Sequence, residues 1–384
     1  MIRKLVIISK EYPTDTDPIY SFVDQVACGF ADAGIEVCVI APLSLTRVWK
    51  QSKPILPRRE PRRTHNGAAF TLLRPRTISV SDGRRLGIDC TMLTHEFFRR
   101  AAWDALCGLD WKPDAIYGHF IAPAGMCAAE FGEKLQIPSF VGYGESSPAR
   151  YAQYTKDTLR ASLKGLNGVI SVSSENARVL QAEGIVGEDV RYGVFPNAVN
   201  TERFHPIDRA AARKALEFDE KAYIVCFVGE LSERKGAHVL NAALKKVPGV
   251  QSIFVGKGPR EPNCEGILHM GPLPNYKVPL VLAAADVFVL PTVAEGCCNA
   301  IVEALSMGLP VISSALPFND DILHEQNSIR VDPTDVDALA AAIETLRDDL
   351  PLRERLAEGA VRKGKELEMP KRVKGILAFM QTGR

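Results

Sequence analysis

The sequence predicts an α/β protein of two doubly wound halves, each a parallel sheet covered by helices on both faces. Three observations predict it. Short, almost wholly apolar runs such as Lys4-Leu5-Val6-Ile7-Ile8-Ser9 and Val169-Ile170-Ser171-Val172 read as strands buried on both faces. Helical stretches lie between most of these runs, as the crossovers of a parallel sheet must. The pattern then restarts after Pro196-Asn197-Ala198-Val199-Asn200, where Ile224-Val225-Cys226-Phe227-Val228-Gly229 reads as a new first strand.

The first run ends at a polar turn, Glu11-Tyr12-Pro13-Thr14-Asp15. Phe22, Val23, Val26, Ala27 and Phe30 follow at helical spacing, and Glu36 to Pro42 completes a βαβ unit. Further strands fit Ala115–Tyr117, Pro138–Val141 and Val190–Phe195. In the second half, strands fit Ser252–Val255, Val287–Leu290 and Pro310–Ile312, with helices at Ala237–Lys246, Pro279–Ala284, Asn299–Met307 and Val336–Leu346. Residues 351–380 read as consecutive amphipathic helices. The expected domains are 1–198, 199–365 and a terminal helix, 366–384, that crosses back to the first half.

With 384 residues the chain accommodates two cores. Its net charge of +1 argues against a nucleic-acid protein, and no nucleic-acid partner is expected. No apolar run reaches the ~18–20 residues of a membrane span. Met1-Ile2-Arg3-Lys4 leads directly into a short strand-like run, so a cytoplasmic protein is the expectation. The nine cysteines show no CxxC pair and no histidine at ligand spacing, which suits reduced thiols better than disulfides or zinc.

Three loops that follow strands of the second half carry chemistry. Gly229-Glu230-Leu231-Ser232-Glu233-Arg234-Lys235-Gly236 sets two cations beside a helix start, which suits a diphosphate. Gly256-Lys257-Gly258-Pro259 follows the next strand. Pro291-Thr292-Val293-Ala294-Glu295-Gly296 opens the helix Asn299–Met307, within which Glu303 stands among apolar residues. Eight residues at about 100° each leave Glu295 and Glu303 ~80° apart on an ideal helix, so the pair works only with Glu295 in the loop. A carboxylate in so apolar a setting as that of Glu303 calls for a hydrogen-bonding partner. Open α/β sheets bind ligands at this carboxyl edge.

These loops, together with DVFVLPTVAEGCCNAIVEALSMGLPVISS, PNAVNTERFHP and the opening KLVIISKEYPTDTDPIYSFVDQVACGFADAGIEVCVIAP, resemble family 4 of the retaining glycosyltransferases. The likeness runs from Lys4 to about Leu346. It implies the GT-B fold: two Rossmann-like domains facing a central cleft, acceptor-binding first and nucleotide-sugar-binding second. It implies transfer of a glycosyl unit from a nucleoside diphosphate sugar, a UDP-sugar favoured over GDP- or ADP-sugar, to a hydroxyl of a glycan or lipid-linked acceptor. Cell-surface polysaccharide biosynthesis is the implied setting. The alternatives are a GT-B nucleotide-sugar epimerase and a degenerate nucleotide-sugar-binding partner protein.

Residue by residue, the resemblance puts Arg234 and Lys235 on the donor diphosphate, Glu303 on the ribose hydroxyls and Glu295 on the donor sugar. Gly296, Cys297, Cys298 and Asn299 would face sugar hydroxyls or phosphate, beside Gly229, Gly256 and Gly258. Gly271 falls where main chain holds the nucleobase. The nucleotide sugar is a co-substrate; no cofactor and no metal are expected. The chain departs from the family at Gly229-Glu230, where Gly-Arg is usual, at Asn197-Ala198-Val199-Asn200 and at Ser21. It departs again at Tyr143, which stands where many members place a histidine beside the reacting carbon. His119, Tyr143 and Glu145 are the acceptor-side candidates, each weighed against a structural role, and Asn319-Asp320 reads as a helix cap.

Between Arg47 and Arg100 thirteen Lys/Arg face four Asp/Glu, a local excess of nine that the rest of the chain offsets. Residues 47–63 mix these cations with Trp49, Ile55 and Leu56. Two readings stand: a solvated loop, or docking to an anionic membrane surface on its inner face, where each cation contributes roughly 1 kcal/mol.

Overall fold

The computed structural model describes residues 1–14, 20–80, 83–85 and 88–382. Asp15, at the end of the first predicted turn, lies outside them. The chain divides into two compact units, Met1–Phe195 with Val373–Arg384, and Pro196–Arg372.

The first unit is built on an eight-stranded sheet. Its strands are β1 (Lys4–Ser9), β2 (Glu36–Ile40), β3 (Arg59–Arg63), β4 (Ala69–Leu73), β5 (Ala115–His119), β6 (Ser139–Tyr143), β7 (Gly168–Ser171) and β8 (Arg191–Val194). They lie in the order β8-β7-β6-β5-β1-β2-β4-β3, all parallel except the pair β3–β4. β1 sits at the centre, with Leu5 to Ile8 fully buried, because helices cover both of its faces. Helix α1 (Ser21–Asp32) buries Val23, Val26, Ala27 and Phe30, the stripe its spacing predicts.

Strand β3 overturns the reading of residues 47–63 as simply loop. Arg-Glu-Pro-Arg-Arg alternates exposed and half-buried positions at the sheet edge. Phe70 and Leu72 of its partner turn inward. An edge strand rich in charge and carrying proline resists pairing with another chain. Arg74 and Arg62 both reach Glu60, at 2.5 and 2.9 Å, so part of the basic excess is internally neutralised.

The second unit holds β9 (Tyr223–Val228), β10 (Val250–Val255), β11 (Ile267–Gly271), β12 (Val287–Leu290), β13 (Val311–Ser314) and β14 (Ser328–Val331). Their order is β11-β10-β9-β12-β13-β14, wholly parallel. The sequence reading misses β11 and β14. Both are outer strands with mostly half-buried residues, so neither shows a continuous apolar run. Helix α12 (Leu350–Glu366) packs along α10 (Asn299–Ser306). Helix α13 (Met369–Gln381) sets Phe379 against Phe140 and Phe195, with the Arg191 guanidinium over its ring.

Asp286, the one charge in the longest apolar run, is buried at the start of β12. It accepts from Arg213, itself buried, and from Arg209, each at 2.6 Å, and from the Ile224 N–H at 2.7 Å. Arg213 also donates to the carbonyls of Ala284 and Glu220. The group ties α7 (Arg209–Ala215) to the strand starts. Removing one partner leaves an uncompensated buried charge. Asp286→Ala is therefore expected to cost about 3–5 kcal/mol, read as a lowered urea midpoint with the slope unchanged.

Candidate functional site

The carboxyl ends of β9, β10 and β12 bring three predicted loops into contact in the second unit. Two glycines make this possible. Gly256 has φ 149°, and a Cβ there would lie 1.8 Å from the Gly229 carbonyl oxygen. Gly236, at φ 73°, starts α8 (Ala237–Leu244), and a Cβ there would lie 2.2 Å from the Pro291 carbonyl oxygen. Only glycine lets backbones approach so closely at positive φ. Leu231 N–H to the Lys257 carbonyl and Val293 N–H to the Arg234 carbonyl complete the seams.

One oxygen of Glu295 then takes three donors: Arg234 Nη1 at 2.6 Å, Lys235 Nζ at 2.7 Å and Thr292 Oγ1 at 3.0 Å. Lys235 and Glu295 are mostly buried, whereas Arg234 is about a third exposed, 36%. Burial pulls the Lys235 ammonium down, but the Cys298 sulfur and the Glu295 carboxylate outweigh it and hold its pKa above the ordinary value. Lys235 Nζ also lies 3.6 Å from Cys298 Sγ. The two cations and one carboxylate sum to a single positive charge.

Cys298 is the N-cap of α10 and has no hydroxyl or carboxylate with which to cap it. The N–H groups of Gly296, Cys297 and Cys298 meet no acceptor among the described residues. The helix start is thus a cluster of donors beside two cations, an arrangement suited to an anion. Burial pushes both thiols up, Cys297 to about 12. Asn197 holds this turn: its side chain donates to the Cys297 carbonyl at 2.9 Å and to Asn299 Oδ1 at 2.8 Å. The sequence reading saw Asn197 only as part of a domain-boundary motif, since its partners lie a hundred residues away. Thr292 was missed as well; its hydroxyl also donates to the Arg234 carbonyl, 58 residues earlier.

Glu303 lies in the first turns of α10, with Glu295 in the loop before it. No hydrogen bond reaches its carboxylate among the described residues, contrary to the expectation of a partner. Burial raises its pKa from 4.5 to about 7, and the Arg203 charge only moderates this. Gly271, at φ 139°, ends β11, and its carbonyl accepts from Gly256 N–H at 2.9 Å. Asn319 is not a helix cap. It is fully buried, and its amide donates to the Ser314 carbonyl at 2.9 Å.

The other three candidates lie in the first unit. His119 ends β5 and stacks on Phe22 at 5.1 Å. Glu145 is buried, and its carboxylate accepts from the N–H groups of Ile121 and Gly144. It fastens the loop that contains Phe120, a non-glycine residue at φ 70°. Tyr143 is 1% exposed in the core with Ile121, Met126, Val141 and Leu159, its hydroxyl 3.5 Å from that of Tyr151. Burial and Tyr151 raise its pKa. The geometry gives Tyr143 packing surroundings.

Two parallel α/β sheets with ligand-type loops at their carboxyl edges define the GT-B class of folds. The structure superposes on sucrose-phosphate synthase from Thermosynechococcus elongatus with a TM-score of 0.74 at 20% identity, covering 98% of each chain. It superposes on Anabaena Alr3699/HepE, solved with UDP, with a TM-score of 0.71 at 17% identity over 100% of both. Residues 222–349 match the family described as glycosyl transferases group 1. It is 30% identical over 239 residues to Bacillus subtilis TuaC, assigned to teichuronic acid biosynthesis as a glycosyltransferase. It is 29% identical over 258 residues to the GDP-mannose-dependent alpha-mannosyltransferase of Corynebacterium glutamicum. The matches cover 61% and 62% of this chain, and span 61% and 60% of the two relatives.

The folded state holds the Glu303 proton more tightly than the unfolded chain does. Its contribution to stability is thus full below pH 4.5 and is lost as pH rises through about 7. Relative to Glu303→Gln, the ligand-free protein should lose roughly 2–3 kcal/mol between pH 5 and pH 8. Melting curves of both proteins across that range check the sign.

Proposed function

We propose that the chain is a glycosyltransferase that moves a sugar from a nucleoside diphosphate sugar to a hydroxyl of a glycan or lipid-linked acceptor, with retention, in cell-surface polysaccharide biosynthesis. The observation that carries this is the Arg234–Lys235–Glu295 group beside the uncapped start of α10. Arg234, Lys235 and the N–H groups of Gly296 to Cys298 would hold the diphosphate. The free oxygen of Glu295 would reach the donor sugar, and Glu303 the ribose hydroxyls. The bond from the anomeric carbon to the leaving phosphate oxygen breaks as one to the acceptor oxygen forms, and the acceptor proton passes to the departing phosphate. Cations in place before the reaction stabilise that developing charge without reorganising, in place of a metal.

A UDP-sugar is the favoured donor; HepE, of the same fold, was solved with UDP-glucose. His119 and Glu145, at the carboxyl edge of the first sheet, are the acceptor-side residues. Residues 47–63 would dock the protein peripherally on an anionic membrane face. Trp49, 79% exposed, and Ile55, 59% exposed, stand among exposed Lys50, Lys53 and Arg58, and no helix among the described residues is long and apolar enough to cross a membrane.

Titration with UDP-, GDP- and ADP-sugars by thermal shift tests the donor reading, since specific binding raises the melting temperature. Lys235→Ala should weaken the cognate nucleotide by about ten- to a hundredfold, the loss of a charge-assisted hydrogen bond. Ribose hydroxyls donate to the ionised Glu303, so affinity should rise from pH 6 to pH 8 and Glu303→Gln should flatten that rise. Unchanged affinity in both variants would refute the donor site. On the membrane side, sedimentation with phosphatidylglycerol vesicles should fall when Arg58, Arg59 and Arg63 become Gln. It should fall again with Trp49→Ser, while retention in both variants rules docking out.

A further inference from the structure

Among the charged groups at the carboxyl edge of the second sheet, Glu230 has no part in the donor reading. Its backbone is fixed on both sides. Gly229 N–H donates to the Val255 carbonyl at 2.9 Å, and Leu231 N–H to the Lys257 carbonyl at 3.1 Å. The carbonyl of Glu230 itself accepts from Ser232 N–H at 2.8 Å. The side chain therefore projects from an anchored base, toward the cation four residues on.

Glu230 Oε2 lies 3.8 Å from Arg234 Nη2. The other side of that guanidinium is committed to the protein: Nη1 donates to Glu295 Oε1 at 2.6 Å and to the Ala294 carbonyl at 3.0 Å. Arg234 thus stands between two carboxylates of unequal depth. Glu295 is mostly buried, whereas Glu230 is 56% exposed. At 3.8 Å Glu230 makes a charge contact and no hydrogen bond, so its carboxylate stays free to turn.

Four groups then stand in a row, Glu230, Arg234, Glu295 and Lys235, at successive separations of 3.8, 2.6 and 2.7 Å. Their charges cancel. What the row offers an anion is short-range, through the donors of Arg234 and Lys235, with no net charge of its own to act at a distance. A nucleoside diphosphate sugar and a free nucleoside diphosphate present similar phosphate oxygens to such donors. They differ in charge, because a terminal phosphate carries roughly one further negative charge near neutral pH. With the diphosphate on Arg234 and Lys235, that added charge falls beside Glu230. Two like charges about 6 Å apart, at effective dielectric constants of about 40–80, weaken binding roughly three- to tenfold.

We propose that Glu230 is a specificity residue that selects diphosphate esters, the form in which a nucleotide carries a sugar, over nucleotides ending in a free phosphate. It acts by charge, from the side of Arg234 that Glu295 does not occupy. This role rests on the donor reading of the second unit.

The full chain is titrated calorimetrically with UDP-glucose, GDP-mannose and ADP-glucose, and with UDP, GDP and ADP; the base that binds supplies the pair of probes. The readout is the dissociation constant of the sugar ester divided by that of the free diphosphate. Glu230→Gln should raise that ratio roughly three- to tenfold, by tightening the free diphosphate more than the ester. Most of the shift should vanish in about 0.5 M salt. Glu230→Asp keeps the charge and should restore the ratio of the unmodified protein. Glu233→Gln removes an acid of the same loop that Arg260 already pairs, and should leave the ratio unchanged. An equal gain for both ligands in Glu230→Gln means that Glu230 only detains Arg234, and overturns selection by charge. An unmoved ratio, or the same shift in Glu233→Gln, overturns it as well. Melting curves without ligand show that the variants are folded. If no nucleotide of the three bases binds the unmodified protein, the donor reading falls and this role with it, whereas binding with an unmoved ratio defeats the role of Glu230 alone.

Discussion

Backbone touching backbone is the constraint on which the candidate site depends. Gly256 against the Gly229 carbonyl and Gly236 against the Pro291 carbonyl allow three strand-end loops to occupy a space where any side chain would collide. Once the loops meet, Arg234 and Lys235 come within hydrogen-bonding distance of Glu295, some sixty residues further along the chain. The parallel sheet supplies the common edge, and the glycines supply the proximity.

Charge in the two units is handled in different ways. In the second, like charges are brought together around a carboxylate, and Glu303 is half-buried with only the Arg203 charge to moderate its raised pKa. Such an acid, partly desolvated when ionised, costs the ligand-free fold stability and would give a ligand with hydroxyls an acceptor. In the first unit, Arg62 and Arg74 share Glu60 at the sheet edge, so part of the basic excess is neutralised there. Asp286 shows the contrast: its acid is buried as deeply as any, yet Arg213, Arg209 and a backbone N–H satisfy it, and it serves the fold.

The buried centres of both sheets were legible because a strand covered on both faces must be apolar throughout; β1 and β9 announce themselves. Strand β3 was not, since its charged alternation encodes an edge, and β11 and β14 are outer strands that bury too little to show a run. The glycine-bearing loops could be read from their place after strands. What joins them could not: Asn197 to Cys297 and Thr292 to the Arg234 carbonyl are tertiary contacts that no local pattern records. Tyr143 could be aligned with a family position, but only the structure shows its ring in the core.

Glu295 makes the two cations a site with a resident counter-ion. A phosphate bound there, as proposed, would compete with a carboxylate for Arg234 and Lys235, and so would gain less than two bare cations would give it. The same competition acts in reverse when the ligand departs, for the cations are then passed back to a partner 2.6–2.7 Å away instead of being left to repel each other. An enzyme that holds a spent nucleotide too firmly is inhibited by its own product. If the site holds a nucleotide as proposed, a built-in rival for the cations would favour its release and keep the site available for the next turnover.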